Sequence, residues 1–152
     1  MTEGQKRMIE SFQADYLRIT GAYIRIVPCT QWEFKADLGE PIEFWKLVRI
    51  VFDFTGWTFK DTYNKSRKEE ACFRRSLIDF IAVNNGTYYN HCAKFTGRDH
   101  TTIMHSVTSF ENRLETQDHT RRLFSEVIRY VKDNYYIYKD LTFTRESFGE
   151  GT

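Results

Sequence analysis

Phe95-Thr96-Gly97-Arg98-Asp99-His100-Thr101-Thr102-Ile103-Met104-His105 is the stretch that decides the fold. Gly97 supplies a sharp turn, and Asp99 is a residue type that caps a helix by accepting a bond from a free backbone N–H. Downstream, Ile103, Val107, Phe110 and Leu114 recur at helical spacing, so a long helix starts at Asp99. Upstream, Thr87 is placed to cap a short helix running through Phe95. A short helix, a tight turn and a long capped helix make a helix-turn-helix.

Working outward, Phe73, Leu77, Phe80 and Ile81 form the stripe of a helix from about Glu69 to Asn84, closed by Asn84-Asn85-Gly86. Before it lies the basic loop Asn64-Lys65-Ser66-Arg67-Lys68, and Thr58 can cap a short turn through about Tyr63. Phe44, Leu47, Val48, Val51 and Phe52 predict a further helix, with Pro41 in its first turn and Gly56 as its stop. After the long helix, Asp118 is expected to cap a last helix carrying Leu123, Val127, Ile128 and Val131. From Asp133 the chain reads as a loosely held polar and aromatic tail, with an extended segment over 135–144. At the other end, Ile9, Phe12, Tyr16 and Ile19 predict a helix over 3–19 ended by Gly21, followed by a β-like run at 22–27 that is either one strand or part of a hairpin with 31–36.

The bulk numbers set limits. A chain of 152 residues with 41% hydrophobic and 16% aromatic content can bury a core, which argues against a disordered protein. Net charge is +1, so a generic polyanion binder is not indicated. Residues 57–105 hold eight Lys and Arg against five Asp and Glu, whereas the flanking thirds hold seven against eight each. Cys29, Cys72 and Cys92 form no CxxC pair, and the expectation is free thiols in a reducing cytoplasm with no metal centre. No apolar run approaches the ~20 residues of a membrane span.

In a helix-turn-helix the N-terminal end of the second helix enters the major groove of DNA. Here it presents Asp99, His100, Thr101 and Thr102, with Arg98 just before. Asp can accept from cytosine N4, Thr can bond a base or touch a thymine methyl, and His and Arg donate. Asp99 is a cap first and a base acceptor second, and Arg98 is either a DNA contact or, equally, an ordinary surface charge or the partner of an acidic neighbour. His105, beyond the first turn, reads as a packing or intrahelical residue. Adjacent side chains at a helix start fan outward and do not converge on a substrate, so no catalytic role is expected.

The run from Phe95 to His105 resembles the signature of the C-terminal DNA-binding domain of the bacterial replication initiator DnaA, its domain IV. Val51 to Lys68, with Phe52, Phe59, Asp61 and the Lys65-to-Lys68 loop, resembles that family's lead-in helix and basic loop. The likeness covers about residues 44–132. It implies a mainly α fold, a helix-turn-helix bundle of the DnaA C-terminal or Trp-repressor-like type; the residues outside it read as an extension (1–43) of a helix plus short strands, for which no resemblance is found, and as the tail (133–152). It implies base reading by Asp99, His100 and Thr101, with Thr102 close to backbone and bases. It implies a minor-groove contact from Lys65 or Arg67 with Lys68 beside them, and phosphate contacts from Arg74 and Arg75. The chain departs from the pattern at Thr87-Tyr88-Tyr89-Asn90-His91-Cys92, where the family carries Ser-Leu-Pro and Ile-Gly, and at Thr96, where it carries glycine. No Gly-x-x-x-x-Gly-Lys-[Ser/Thr] loop occurs in the chain, so the resemblance does not extend to the initiator's ATPase module.

The expectation is therefore a cytoplasmic, non-enzymatic protein of replication or transcriptional regulation that binds double-stranded DNA without a cofactor. Its N-terminal extension would be free to meet a protein partner. The competing expectation is a protein-interaction adaptor that keeps the fold without reading DNA.

Overall fold

The computed structural model describes residues 2–24, 26, 36, 38 and 40–148. The chain divides into two compact units, Met1–Glu33 and Phe34–Thr152. Among the described residues the regular structure is helical: α1 (Glu3–Thr20), α2 (Phe44–Thr55), α3 (Phe59–Thr62), α4 (Glu69–Asn84), α5 (Tyr89–Thr96), α6 (His100–Thr116), α7 (Asp118–Tyr138) and a closing 3-10 turn (Arg145–Phe148). Of the strand expectation, residues 22–24 and 26 carry no regular structure, and the remainder falls largely outside the described residues.

In the first unit, Thr2 caps α1 in a reciprocal box with Gln5, and Gly21 ends the helix. The expected stripe is present but α1 buries none of its residues. The second unit is built on α4, which packs against α2, α3, α5 and α6, while α7 lies along α2 and α6. Phe80, Phe110 and Phe124 meet edge to face and tilted at 5.2 to 5.6 Å, joining α4, α6 and α7. The helix α2 is buried on more than the one face its stripe predicts. Trp45, Lys46 and Ile50 are covered along with Phe44, Leu47, Val48, Val51 and Phe52. Lys46 is tolerated there because its ammonium donates to the Lys139 carbonyl (2.9 Å) and pairs with Glu43 (3.0 Å).

Four sequence expectations are corrected. Pro41 is not in a first helical turn: α2 starts at Phe44, with Glu43 as its N-cap. Residues 41–42 instead dock on the α4–α5 turn. The Ile42 N–H donates to the Asn85 carbonyl (3.0 Å) and the Thr87 hydroxyl donates to the Ile42 carbonyl (3.2 Å). Thr87 does not cap α5, because that helix starts at Tyr89 with Tyr88 as its N-cap, one residue past Thr87. Gly86 (φ 103°) is held at this junction twice over: by its backbone and because a Cβ there would lie 3.1 Å from Pro41 Cβ. Likewise Asp118 is the first residue of α7 and pairs with Arg121, while Gln117 is the N-cap.

The fourth correction concerns the tail. The helix α7 runs on to Tyr138, with Tyr135 buried and the Tyr138 hydroxyl 2.5 Å from Asp53 Oδ2. Phe148 is fully buried, its ring 5.5 to 5.7 Å from those of Trp45, Phe52 and Phe59. The aromatics that made this segment look tail-like are the groups that pack it, and the α7 stripe simply continues at helical spacing through Val131, Tyr135 and Tyr138.

Candidate nucleic-acid interface

The short helix α5 ends at Gly97 in the left-handed conformation (φ 71°), and the Gly97 and Arg98 N–H groups both turn back to the Ala93 carbonyl. Asp99 then opens α6, its Oδ1 accepting from the Thr101 N–H at 3.2 Å, the cap its residue type predicts. His100 Nδ1 lies 3.2 Å from the same oxygen. Asp99, His100, Thr101 and Thr102 are all exposed, whereas Ile103, the next residue, is fully buried. The first turn of α6 thus stands clear of the core, and its base-capable side chains are in water. His105 is exposed on α6 and does not pack in the core.

Arg98 turns inward. Its fork donates to both oxygens of Asp79 on α4, at 2.6 and 2.9 Å, and its Nε donates to Thr96 Oγ1 at 3.0 Å. The Asp79 carboxylate is fully buried and also accepts from the Ser106 hydroxyl on α6 at 2.9 Å. Burial pushes the Asp79 carboxyl up from the ordinary range; the Arg98 charge and the bonds from Arg98 and Ser106 pull it back. Removing one member of such a buried pair costs about 3–5 kcal/mol, because the other charge is left without a partner. Of the readings open to Arg98, the pairing with an acidic neighbour is the one seen in the structure.

The basic loop is built by its own polar side chains. Asn64 Oδ1 accepts from the Ser66 N–H (2.8 Å), Ser66 Oγ accepts from the Lys68 N–H (3.1 Å), and the Asn64 amide donates back to the Lys60 and Asp61 carbonyls. Arg75 of α4 closes the arrangement, donating to the carbonyls of Thr62 (3.0 Å), Asn64 (2.8 Å) and Ser66 (2.7 Å). Lys65, Arg67 and Lys68 are left exposed. Arg74 pairs with Glu70 and lies over the Trp57 ring at 5.3 Å.

The structure therefore separates the ten sequence-chosen residues into two groups. Lys65, Arg67, Lys68, Asp99, His100, Thr101 and Thr102 are exposed, and of the three half-buried arginines Arg75 and Arg98 spend their guanidinium groups on protein partners whereas Arg74 makes a single ion pair with the exposed Glu70. Sequence reasoning missed Asp79, Ser106 and Thr96. One signal was available: a lone aspartate inside Leu77-Ile78-Asp79-Phe80-Ile81 must find a cation when that stretch is buried.

Among the described residues no cluster of His, Cys, Asp and Glu is placed to hold a metal ion, and no helix is long and apolar enough to cross a membrane. Cys72 and Cys92 are free thiols, and Cys29 lies outside the described residues. Comparison with family models, curated proteins and solved structures finds no match to this chain.

Proposed function

We propose that this protein binds double-stranded DNA, with the first turn of α6 in the major groove and the 65–68 loop in the adjacent minor groove. The observation that carries the reading is the abrupt change at the start of α6. Four exposed residues of base-bonding type, Asp99 to Thr102, are followed at once by the fully buried Ile103. The N–H groups of that first turn other than that of Thr101, which Asp99 caps, also suit a phosphate. The resemblance of residues 95–105 to the DnaA C-terminal domain supports the same placement, and with it a DnaA-type bundle and a cytoplasmic role in replication or transcriptional regulation. His100, Thr101 and Thr102 are the readers; Asp99 caps the helix through Oδ1. Lys65, Arg67 and Lys68 supply the charge that makes binding salt-dependent. Arg75 and Arg98 are left out of the DNA-facing group because their guanidinium groups donate within the protein; Arg74, with a single ion pair to the exposed Glu70, stays a candidate for a phosphate contact.

Selection of duplexes from a randomised library tests this. Recovery of a preferred sequence supports it, and a library that returns nothing at low salt sinks it.

A second reading is favoured by one observation. The helix α1 exposes Met8, Phe12, Leu17 and Ile19 to solvent, which suits an interaction module. Under that reading, alanine at Lys65, Arg67, His100 and Thr101 leaves biological activity intact, whereas polar substitutions at Phe12 and Ile19 abolish it.

A further inference from the structure

We infer that α4 acts as a ruler for the two DNA-facing elements, with Asp79 fixing the start of the reading helix and Arg75 fixing the basic loop. The inference rests on the proposed DNA reading and names the residues that position it.

The observations are geometric. Arg75 and Asp79 are four residues apart on α4, which places them on one helix face a single turn apart. Each is a hub with partners on a different element. Asp79 takes the Arg98 fork from the turn before α6 and the Ser106 hydroxyl from α6 itself, so it grips that helix at two points. Arg75 takes three successive alternate carbonyls, those of Thr62, Asn64 and Ser66, along the loop. Neither hub needs to touch DNA to matter. Asp79 is fully buried, so it can act on a duplex only through Arg98 and α6. Because both grips lie on one rigid helix, the separation of the first turn of α6 from Lys65 and Arg67 is set by one turn of α4. Two grooves of one duplex have to be met at a fixed separation, and a shared helix face supplies it.

A phosphate-binding role for Arg98 makes opposite predictions. If Arg98 touched phosphate, Asp79→Asn would free it and leave affinity unchanged or stronger, and Arg98→Lys would keep the interaction. Under the ruler, both variants weaken binding. Asparagine leaves the guanidinium without a countercharge, and lysine cannot match both carboxylate oxygens.

The test uses the 152-residue chain and the duplex that the wild type selects from a randomised library, with a scrambled duplex as control. Asp79→Asn and Arg98→Lys are expected to lose about 10- to 100-fold on the selected duplex, the effect of misaligning one or two base contacts. Their affinity for the scrambled duplex, and its salt dependence, stay as in the wild type. Ser106→Ala removes one of the bonds to Asp79 and keeps the fold; it shifts affinity in the same direction by less. Unchanged binding in all three variants, or unchanged or tighter binding of the selected duplex by Asp79→Asn, overturns the inference. Amide hydrogen exchange on the free protein separates this from failure of the DNA reading itself. Ser106→Ala and Asp79→Asn raise exchange at residues 97–102 and leave 64–68 unchanged, and Arg75→Lys does the converse. If the library returns no duplex, the DNA reading fails and the exchange pattern alone decides the ruler. Exchange that rises in both segments in every variant, or in neither, overturns it.

Discussion

Phe148→Ala should destabilise the second unit by about 3–5 kcal/mol, the usual cost of a phenylalanine cavity in a core. The side chain is fully buried. About 1.5–3 kcal/mol of the loss is the transfer of the ring out of water, and the remainder is the cavity its neighbours cannot refill. Trp45, Phe52 and Phe59 line that cavity from α2 and α3, and large rings on helices have little room to collapse inward. The Arg49 guanidinium, 4.5 Å from the ring centroid, loses its aromatic partner as well. For a chain of this length each kcal/mol lowers the melting temperature by about 2–4 °C, so the shift is roughly 10 °C. Urea unfolding followed by circular dichroism and by tryptophan fluorescence measures it, since Trp45 adjoins the site. Tyr136→Ala, at a residue 71% exposed on α7, is the control and should change stability by less than about 0.5 kcal/mol. A Phe148→Ala variant within about 1 kcal/mol of wild type would refute the argument and return the C-terminal segment to the status of a tail.

His100→Ala and Thr101→Ala should each cost about 1–3 kcal/mol on the selected duplex and little on a scrambled one, read by fluorescence anisotropy. Lys65→Ala and Arg67→Ala should weaken both duplexes alike and reduce the slope of log K against log salt by about one for each phosphate no longer neutralised. Gly97→Ala meets no atom within 4 Å, so it carries only the left-handed backbone strain of about 1–2 kcal/mol; Gly86→Ala adds a close approach to Pro41 and should cost more. Equal melting temperatures for the two would contradict this. Burial pushes the Cys92 thiol up to about 12 from an ordinary 9, and the Asp79 charge adds to the shift. A raised native value favours the protonated fold, so this contribution is whole below pH 9 and is lost as pH rises from 9 toward 12, at about 1.4 kcal/mol per unit. Denaturant melts across that range should show the loss, with a shallower slope in Cys92→Ala.

The helical frame was legible because its signals are local. The boundaries Glu69–Asn84, the stop at Gly56, the cap at Thr58 and the start at Asp99 follow from side-chain periodicity and from single capping residues. What failed was tertiary. Thr87 and Pro41 look like helix-start residues in isolation, but the docking of residues 41–42 on the α4–α5 turn claims both. Phe148 has no periodic neighbours to announce it, and its burial depends on rings over eighty residues away in sequence. The candidate interface divides in the same way. Exposure of residues 99–102 follows from the apolar seam beginning at Ile103, whereas the inward turn of Arg98 depends on an aspartate nineteen residues earlier. For Arg74 and Arg75 a surface charge and an internal donor look alike in sequence, since the carbonyls that Arg75 serves belong to a loop whose path is not written in its own residue types.

Binding of the 152-residue chain to its library-selected duplex and to a scrambled duplex, followed across a salt series, tests whether the start of α6 reads DNA. Binding to the selected sequence should be the tighter, with log K falling linearly with log salt at about −0.9 per phosphate neutralised. No binding to either duplex at low salt, or equal binding to both throughout the series, would contradict it.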